Sequence, residues 1–513
     1  MDKEYIKNNN KVENIDQSLF EFVQKETAIS DHKMDTKRIG YFKDAFIRFT
    51  RNKASVLAAC IIVFLFLYAI FVPLIFDDAY TLKENDNNKL YYSELLPKVF
   101  DNTGFWDGTT KKTALGVNQY TRYEAIGVET GRPAVVEILK EYEEDGAKRY
   151  DIRYDTYAGL GVRFITFTKD EYDKIQRFQD ENNLQIIYPA VKADGANTGK
   201  LEDKEGRVWW QIDSKTNKAI RDSQGNLKNN YLTEGEDDYF SKMRVSSDTE
   251  KTFKYAVKAG KSDYKCRVDL YNYFIYLYGE EPSFVFGTNK AGFDIFTRLG
   301  RGARLSFIFA FTIATINLVI GAIYGSIAGY FGGTTDLVME RITDVLGNVP
   351  FMVVTTLFQL HVAKHVGPIV SLLFAFVATG WIGTASTVRM QFYRYKNQEY
   401  ILAARTLGAK HSRLMFKHIF PNALGTIITS SVLVIPGVFF SESSLTYLGI
   451  VNLESSTVTS IGTMLANGRG TLDTTPHIIF FPALFISLSM ITFNLFGNGL
   501  RDAFNPSLRG SED

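Results

Sequence analysis

Cysteine is nearly absent from this chain. Two residues in 513, Cys60 inside an apolar run and Cys266 in a polar block, exclude a disulfide scaffold. They also exclude a zinc cage built on four cysteines, or on a close cysteine pair with two histidines. Net charge is nearly absent too: 58 Lys and Arg stand against 57 Asp and Glu, and a balance of +1 gives no support to a nucleic-acid role. No heptad array and no repeat of about 20–50 residues is visible. An even spread of charge is also lacking. Residues 77–286 hold 37 acidic and 31 basic side chains, a net of −6, and the remainder holds 20 against 27, a net of +7. Every long uncharged run lies in that basic remainder. The pattern is that of a membrane protein with a polar domain inserted.

A span needs about 20 mostly apolar residues, because the hydrocarbon core is about 30 Å thick and a helix rises about 1.5 Å per residue. Six runs are expected to cross: Ala54–Phe76, Leu305–Thr335 with a turn at Gly332-Gly333, Val345–Ala363, Val366–Val388, about Phe420–Ser441 and about Thr474–Leu500. The third is the weakest, with Asn348 and Pro350 inside it and Lys364 at its end. A signal peptide is not expected, since 53 residues precede the first run and no small-residue cleavage site comes after it. Basic residues in short loops set the orientation. Lys43, Arg48, Arg51 and Lys53 precede the first span, and seven Lys and Arg lie in 389–419. Both termini and that loop are expected inside, and 77–286 outside.

The expected fold is therefore an α-helical polytopic membrane protein with six transmembrane helices and an inserted extracytoplasmic α+β domain. Residues 1–53 form a cytoplasmic segment, disordered to about Asp35, with a juxtamembrane helix from Tyr41, where aromatic and basic residues alternate at helical spacing. The first span is 54–76, the insertion 77–286, the five-span core 287–500 with its inner loop at 389–422, and the cytoplasmic tail 501–513. Within the insertion, strands are predicted at Val135–Tyr142, Arg149–Tyr157, Val162–Thr168 and Leu184–Tyr188, and a helix at Asp170–Asn182. Asp145-Gly146 joins the first two strands, Trp209 and Trp210 are core candidates, and Ala193–Glu205 and Ser214–Gly235 read as polar loops.

Two patterns mimic chemistry. Asp194-Gly-Ala-Asn-Thr-Gly-Lys-Leu201 glances at a phosphate-binding loop, but Asp194 stands where Gly is needed and Leu201 where the Mg²⁺-holding hydroxyl is needed. His361 and His365 are spaced i, i+4, yet Val362 replaces the general-base Glu of a zinc helix and no third ligand is evident. No catalytic constellation, cofactor site or metal site is read from the chain.

The informative stretch is the inner loop, from Glu399 through Ala403-Ala404-Arg405, Gly408 and Lys410 to Pro421-Asn422. It reads as a short helix stopped by Gly408 at C′, then a second helix from near Ser412, with Pro421 marking the turn into span five. Small side chains let another surface approach the backbone, so a knob for a partner's cleft and a plain amphipathic connector are both open on the physics. The stretch resembles the EAA loop of ABC importer permeases, in the spacing from Ala403-Ala404 through Gly408 to Pro421. Leu402 stands where that family has Glu, and His418 and Phe420 replace two aliphatics; Glu399, one turn upstream, would substitute for the charge of the missing Glu. Gly287-Thr288-Asn289…Gly292-Phe293-Asp294…Arg298…Gly302-Ala303-Arg304-Leu-Ser306, Gly329–Gly333 and Phe493–Pro506 resemble the second permease subunit of oligopeptide and dipeptide importers (OppC/DppC-like). Asn289, Phe293, Thr297 and Phe307 depart from the pattern.

That resemblance implies a MetI-like permease core in the bacterial cytoplasmic membrane, without an ATPase site of its own. It implies a second permease (OppB-like), two cytoplasmic ATPases (OppD/OppF-like) that bind ATP and Mg²⁺, a peptide-binding lipoprotein outside, and a peptide cargo. Glu399, Ala403, Ala404, Arg405, Gly408, Lys410 and Pro421 would form the ATPase-coupling loop. Dipeptide or nickel import is the alternative cargo. A membrane-tethered receptor using 77–286 is the alternative class, and a membrane hydrolase would need nucleophile and base pairs that do not show. The family has a shorter connection between its first two spans, so 77–286 is an insertion, either docking and substrate-handling or shielding.

Overall fold

Side-chain caps and glycine stops punctuate this chain, and they set where its helices begin and end. The structure, a computed structural model, describes residues 40–76, 87–101, 103–191, 205–231, 257–259, 263–453 and 458–504. The first 39 residues, the Asp194–Leu201 pattern, most of the 193–205 loop and the last nine residues lie outside the described residues. Helix α1 (Tyr41–Arg51) buries Ala45 and Phe49 against Ala503, while Phe42 and Phe46 stay exposed. Asn52 then caps α2 (Lys53–Ile75), its Oδ1 accepting the Ala54 and Ser55 amides at 3.1 and 3.3 Å.

A short 3₁₀ turn (Asn87–Tyr92) leads to the α+β unit. Its elements are β1 (Thr109–Gly116), α3 (Val117–Thr130), β2 (Val135–Glu144), β3 (Ala147–Asp155), β4 (Val162–Thr168), α4 (Lys169–Asn182), β5 (Ile187–Tyr188), β6 (Val257–Ala259), β7 (Asp263–Asp269) and α5 (Leu270–Tyr278). One antiparallel sheet has the order β1-β3-β2; the other runs β4-β7-β5, with β6 also pairing β7. The β2–β3 turn is the one expected: Asp145 and Gly146 have φ of +52° and +73°, as a two-residue hairpin demands. Thr168 and Glu171 close a capping box that starts α4. The segment 214–231 departs from the polar-loop expectation. Isolated bridges Trp210–Asn229, Ile212–Ala219 and Arg221–Leu227 fold it back, and Trp209, Trp210 and Leu227 are buried together with Ala125 and Val191.

A narrow neck joins this unit to the helices. The Lys98 amide donates to the Phe284 carbonyl (2.9 Å), and Ser283 Oγ donates to the Lys98 carbonyl (3.0 Å). Tyr157, fully buried, donates from its hydroxyl to the Leu96 carbonyl at 2.7 Å. Residues on either side of Lys98 also touch the membrane half. The Leu95 amide donates to Thr288 Oγ1 (2.8 Å), which donates to the Tyr92 carbonyl (2.6 Å). Trp106 stacks on Phe481 with ring centroids 5.8 Å apart.

The membrane half comprises α6 (Ile295–Phe331), α7 (Gly333–Gly347), α8 (Phe351–His361), α9 (Ala363–Val366), α10 (Pro368–Tyr395), α11 (Glu399–Thr406), α12 (His411–Arg413), α13 (Phe420–Tyr447), α14 (Ile461–Gly468) and α15 (His477–Phe504). Asp294 caps α6, accepting from the Phe296 and Thr297 amides. At 37 residues, or about 55 Å, α6 exceeds a bilayer's hydrocarbon thickness. It lies parallel to α10 in close contact. A Cβ at Gly325 would sit 2.2 Å from the Ala385 carbonyl oxygen, and one at Gly329 would sit 2.7 Å from the Arg389 carbonyl oxygen. Asn317 abuts Gly380 in the same stripe. Small residues at i, i+4 and i+8 let the two backbones approach, the usual device where apolar solvent gives no drive to associate.

Among the described residues, five helices are long and apolar enough to cross a membrane: α2, α6, α10, the continuous run His411–Tyr447, and α15. The expected third span, Val345–Ala363, is not one helix. Asn348 Nδ2 donates to the Asp344 carbonyl (2.6 Å) and closes α7, and Pro350 cannot continue the ladder. The next helix, α8, has 11 residues, about 16 Å.

Candidate functional site

The loop expected on the inner side begins where α10 ends. Helix α11 carries Ile401 fully buried on one side, against Val388, Phe392, Leu414, Met415 and Ile419. Its other side presents Glu399, Leu402, Ala403 and Thr406 outward, with Arg405 exposed as well. The helix stops at Gly408 as expected. The Gly408 amide donates to the Arg405 carbonyl (3.0 Å) and the Ala409 amide to the Ala404 carbonyl (3.1 Å), with Gly408 at φ +83°. This paired closure at C′ and C″ is a Schellman motif. Leu407, just before it, is 88% exposed. Lys410 is exposed in extended backbone and opens the next helix.

Pro421 does not mark a turn, contrary to expectation. Helix runs from His411 into α13 through a wide-turn segment, Leu414–Ile419, of π type. A π turn widens the ladder just ahead of the ring that would clash with it, which lets the proline sit inside a continuous helix. Asn422 Nδ2 donates to the His418 carbonyl at 2.7 Å and to Tyr400 Oη at 3.2 Å, tying the start of α13 to α11. Burial holds the Tyr400 phenol above its ordinary value.

The loop is fastened to its neighbours by side chains that the sequence alone did not single out. Tyr330 Oη and His411 Nδ1 are 2.7 Å apart, and Lys396 Nζ donates to the Gly329 carbonyl at 2.9 Å. The Gly329–Gly333 segment and the loop, 81 positions apart at the Tyr330–His411 contact, are thus held together. Arg389 donates to both oxygens of Asp336 (2.5 and 2.7 Å) and both of Glu340 (2.9 and 3.1 Å), linking α10 to α7. By sequence, Arg389 counts only as an inside charge. Of the seven expected loop residues, Glu399, Ala403, Arg405, Gly408, Lys410 and Pro421 are exposed at this end, and Ala404 is half-buried. His361 and His365 are not part of it; the His361 ring bonds the Leu357 carbonyl.

A second polar feature lies inside the helices. Glu442 on α13 is 2% exposed and accepts from Ser306 Oγ (3.1 Å), Thr446 Oγ1 (3.3 Å) and Ser443 Oγ (3.4 Å). Span five was expected to end at Ser441; α13 continues to Tyr447 and takes Glu442 with it. A lone carboxylate at the end of an otherwise uncharged stretch was the available signal, since ionisable groups within spanning helices are costly and kept for a purpose.

Comparison with known proteins yields two family matches. Residues 321–510 match the family described as binding-protein-dependent transport system inner membrane component. Residues 40–97 match the N-terminal transmembrane domain of oligopeptide transport permease C. The chain is 45% identical over 224 residues to the oligopeptide transport system permease protein OppC of Bacillus subtilis, covering 44% of this chain and 72% of that protein. It is 42% identical over 226 residues to the dipeptide transport system permease protein DppC of the same species, covering 44% and 69%. The Escherichia coli OppC protein is 34% identical over 232 residues, covering 45% and 74%. Among solved structures, an inward-facing MetNI methionine ABC transporter chain aligns with a TM-score of 0.33 at 13% identity, over 40% of this chain and 96% of that one.

Proposed function

The chain belongs to the binding-protein-dependent inner membrane transport components, in their oligopeptide and dipeptide permease group, and from that premise we propose that it forms one half of an ATP-driven import pathway for oligopeptides. A second permease completes the pathway, two cytoplasmic ATPases bind and hydrolyse ATP, and a binding protein outside delivers the peptide. The dipeptide transporter among the relatives makes dipeptides the alternative cargo.

One observation carries the reading: the inner loop is rigid on its core side and open on the other. Ile401, Leu414 and Ile419 are fully buried beneath it with Ala404 half-buried against them, while Leu407 and Ala403 form its exposed surface. Such a knob transmits a partner's closure as a rigid-body movement of the helices attached to it. The basic residues around 389–419 favour the inner side for this loop, and 77–286 then lies outside. Because α6 and α10 run parallel, the chain between them retraces the membrane's thickness. The broken pair α7–α8 supplies that sixth crossing.

Uptake measurements test the assignment. Gly408→Val and Ala404→Asp should leave the protein inserted but abolish peptide-stimulated ATP hydrolysis and peptide uptake by the assembled transporter. Normal uptake in the double variant would sink the coupling role.

A further inference from the structure

The outer unit contains a cavity of about 550 Å³ that neither the coupling loop nor the spanning helices use. Sites for small ligands run to about 300–1,000 Å³. Helix α3, the turn before β4, the start of β4 and residues 205–210 form its walls. Three arginines line it, each from a different segment: Arg122, Arg163 and Arg207. Tyr123, Tyr154 and Trp210 supply flat apolar faces among them.

The acids of the cavity do not cancel these charges. Glu129 is 3% exposed at its side chain and is already engaged: Arg267, wholly buried, donates to its two oxygens at 2.6 and 2.9 Å. Glu205 is the other, at the rim, in contact with Arg207 and 3.7 Å from Arg163. Among the described lining residues, three guanidinium groups thus stand against one carboxylate that is not already in a buried ion pair. Glu205 also shows what the place accepts, a carboxylate set between two guanidinium groups. Burial, and then the charge of Arg207, hold the Arg163 guanidinium below its ordinary pKa, a strain that a further anion relieves. Arg163 Nε is buried and has no hydrogen-bond partner among the described residues, so a donor is left for a ligand to satisfy. Planar guanidinium forks match a carboxylate's two oxygens.

We propose that this cavity binds the C-terminal carboxylate of a short peptide, with Arg163 and Arg207 taking the carboxylate, Arg122 closing over it, and the aromatic faces receiving the peptide's side chains. The proposal rests on the importer reading for its choice of ligand. It makes 77–286 a cargo-handling domain.

Calorimetry on the full chain in lipid nanodiscs tests it, with tri-alanine, its C-terminal amide and inorganic phosphate as probes. Saturable binding of tri-alanine is expected, at least tenfold weaker for the amide and at least tenfold weaker in Arg163→Gln. The melting profile should be unchanged. Should Arg163→Gln fail to fold, Arg207→Gln, whose side chain is half exposed, carries the same expectation. Equal affinity for acid and amide, no tri-alanine binding, or phosphate binding without tri-alanine binding would each overturn the site. Peptide uptake by the wild-type assembled transporter is measured alongside. Uptake without binding here refutes the cavity and leaves the importer, whereas binding without uptake refutes the importer reading.

Discussion

Leu407 stands beside a glycine held at φ +83°, and the two residues do different work. A Cβ at Gly408 would meet nothing within 4 Å, so the cost of replacing it is conformational, about 1–2 kcal/mol for an L-residue in left-handed backbone. Leu407, 88% exposed, buries little among the described residues. Leu407→Ser should leave the melting temperature unchanged and lower peptide-stimulated ATP hydrolysis several-fold in the assembled transporter; a shifted melt with intact coupling would place Leu407 in the fold instead. At the neck, Asp107 offers a pH readout. Burial opposes its ionisation, but the Thr109 hydroxyl and amide, the Gly104 amide and the Arg153 guanidinium outweigh it and hold the carboxyl below its ordinary value. A depressed carboxylate contributes stability that is present above its unfolded pKa, about 4, and is lost as pH falls. The melting-temperature gap between wild type and Asp107→Asn should therefore be full near neutral pH and shrink below about pH 4. A gap that is flat across that range would show that the carboxylate's charge is not what matters.

Between elements, the α+β unit depends on a buried ion pair. Arg267 on β7 donates Nε to the Gly206 carbonyl (2.7 Å), Nη1 to the Pro189 carbonyl (2.8 Å), and both Nη groups to Glu129 on α3. It thereby joins the β4-β7-β5 sheet to the helix that lies over β1 and β3. Removing one charge strands the other in a dry site, so Glu129→Leu or Arg267→Met alone should cost about 3–5 kcal/mol. The double replacement should cost clearly less than the two single losses added together, as urea unfolding of the α+β unit followed by tryptophan emission would report. Additive losses would mean that the carbonyl bonds of Arg267, not its pairing with Glu129, hold the elements together. In the membrane half the joints are of another kind. Glycines 321, 325 and 329 bring α6 onto α10, and the Arg389 cluster ties α10 to α7 at the loop end.

For the molecule as a whole, the neck defines where the insertion can be cut. Tyr92 and Leu95 bridge the two halves: they are buried in the core of the α+β unit and are bonded to Thr288 on the helical side, and the matched permease N-terminal segment runs to residue 97. A cut at Asp77 would remove those contacts and expose Thr288. Lys98 and Phe284 are hydrogen-bonded neighbours, so the residues between them can be replaced by a two- or three-residue polar turn. The shortened chain should insert and associate with its ATPases with near-normal basal hydrolysis, while peptide uptake falls if 77–286 handles cargo. Failure to insert, assayed by membrane fractionation, would show that Trp106 stacked on Phe481 is required for the helices themselves to assemble.

Local chemistry made much of this legible. Uncharged runs located α2, α6, α10, α13 and α15 to within a turn or two at most ends, because hydrocarbon tolerates only backbone bonded within its own segment. Gly408 and Asp145-Gly146 announced their conformations because few residues accept positive φ. Where the sequence misled, a neighbour had changed the local rule: a π turn absorbed Pro421, and Ser306 from another helix let Glu442 stay inside. The parallel seating of α6 on α10, the meeting of Lys98 with Phe284, and the convergence of Arg122, Arg163 and Arg207 on one cavity were settled only by the tertiary structure. Those are relations between distant segments. A charge on a solvated face and a charge lining a pocket look alike in sequence, because what separates them is the packing of chain that lies elsewhere.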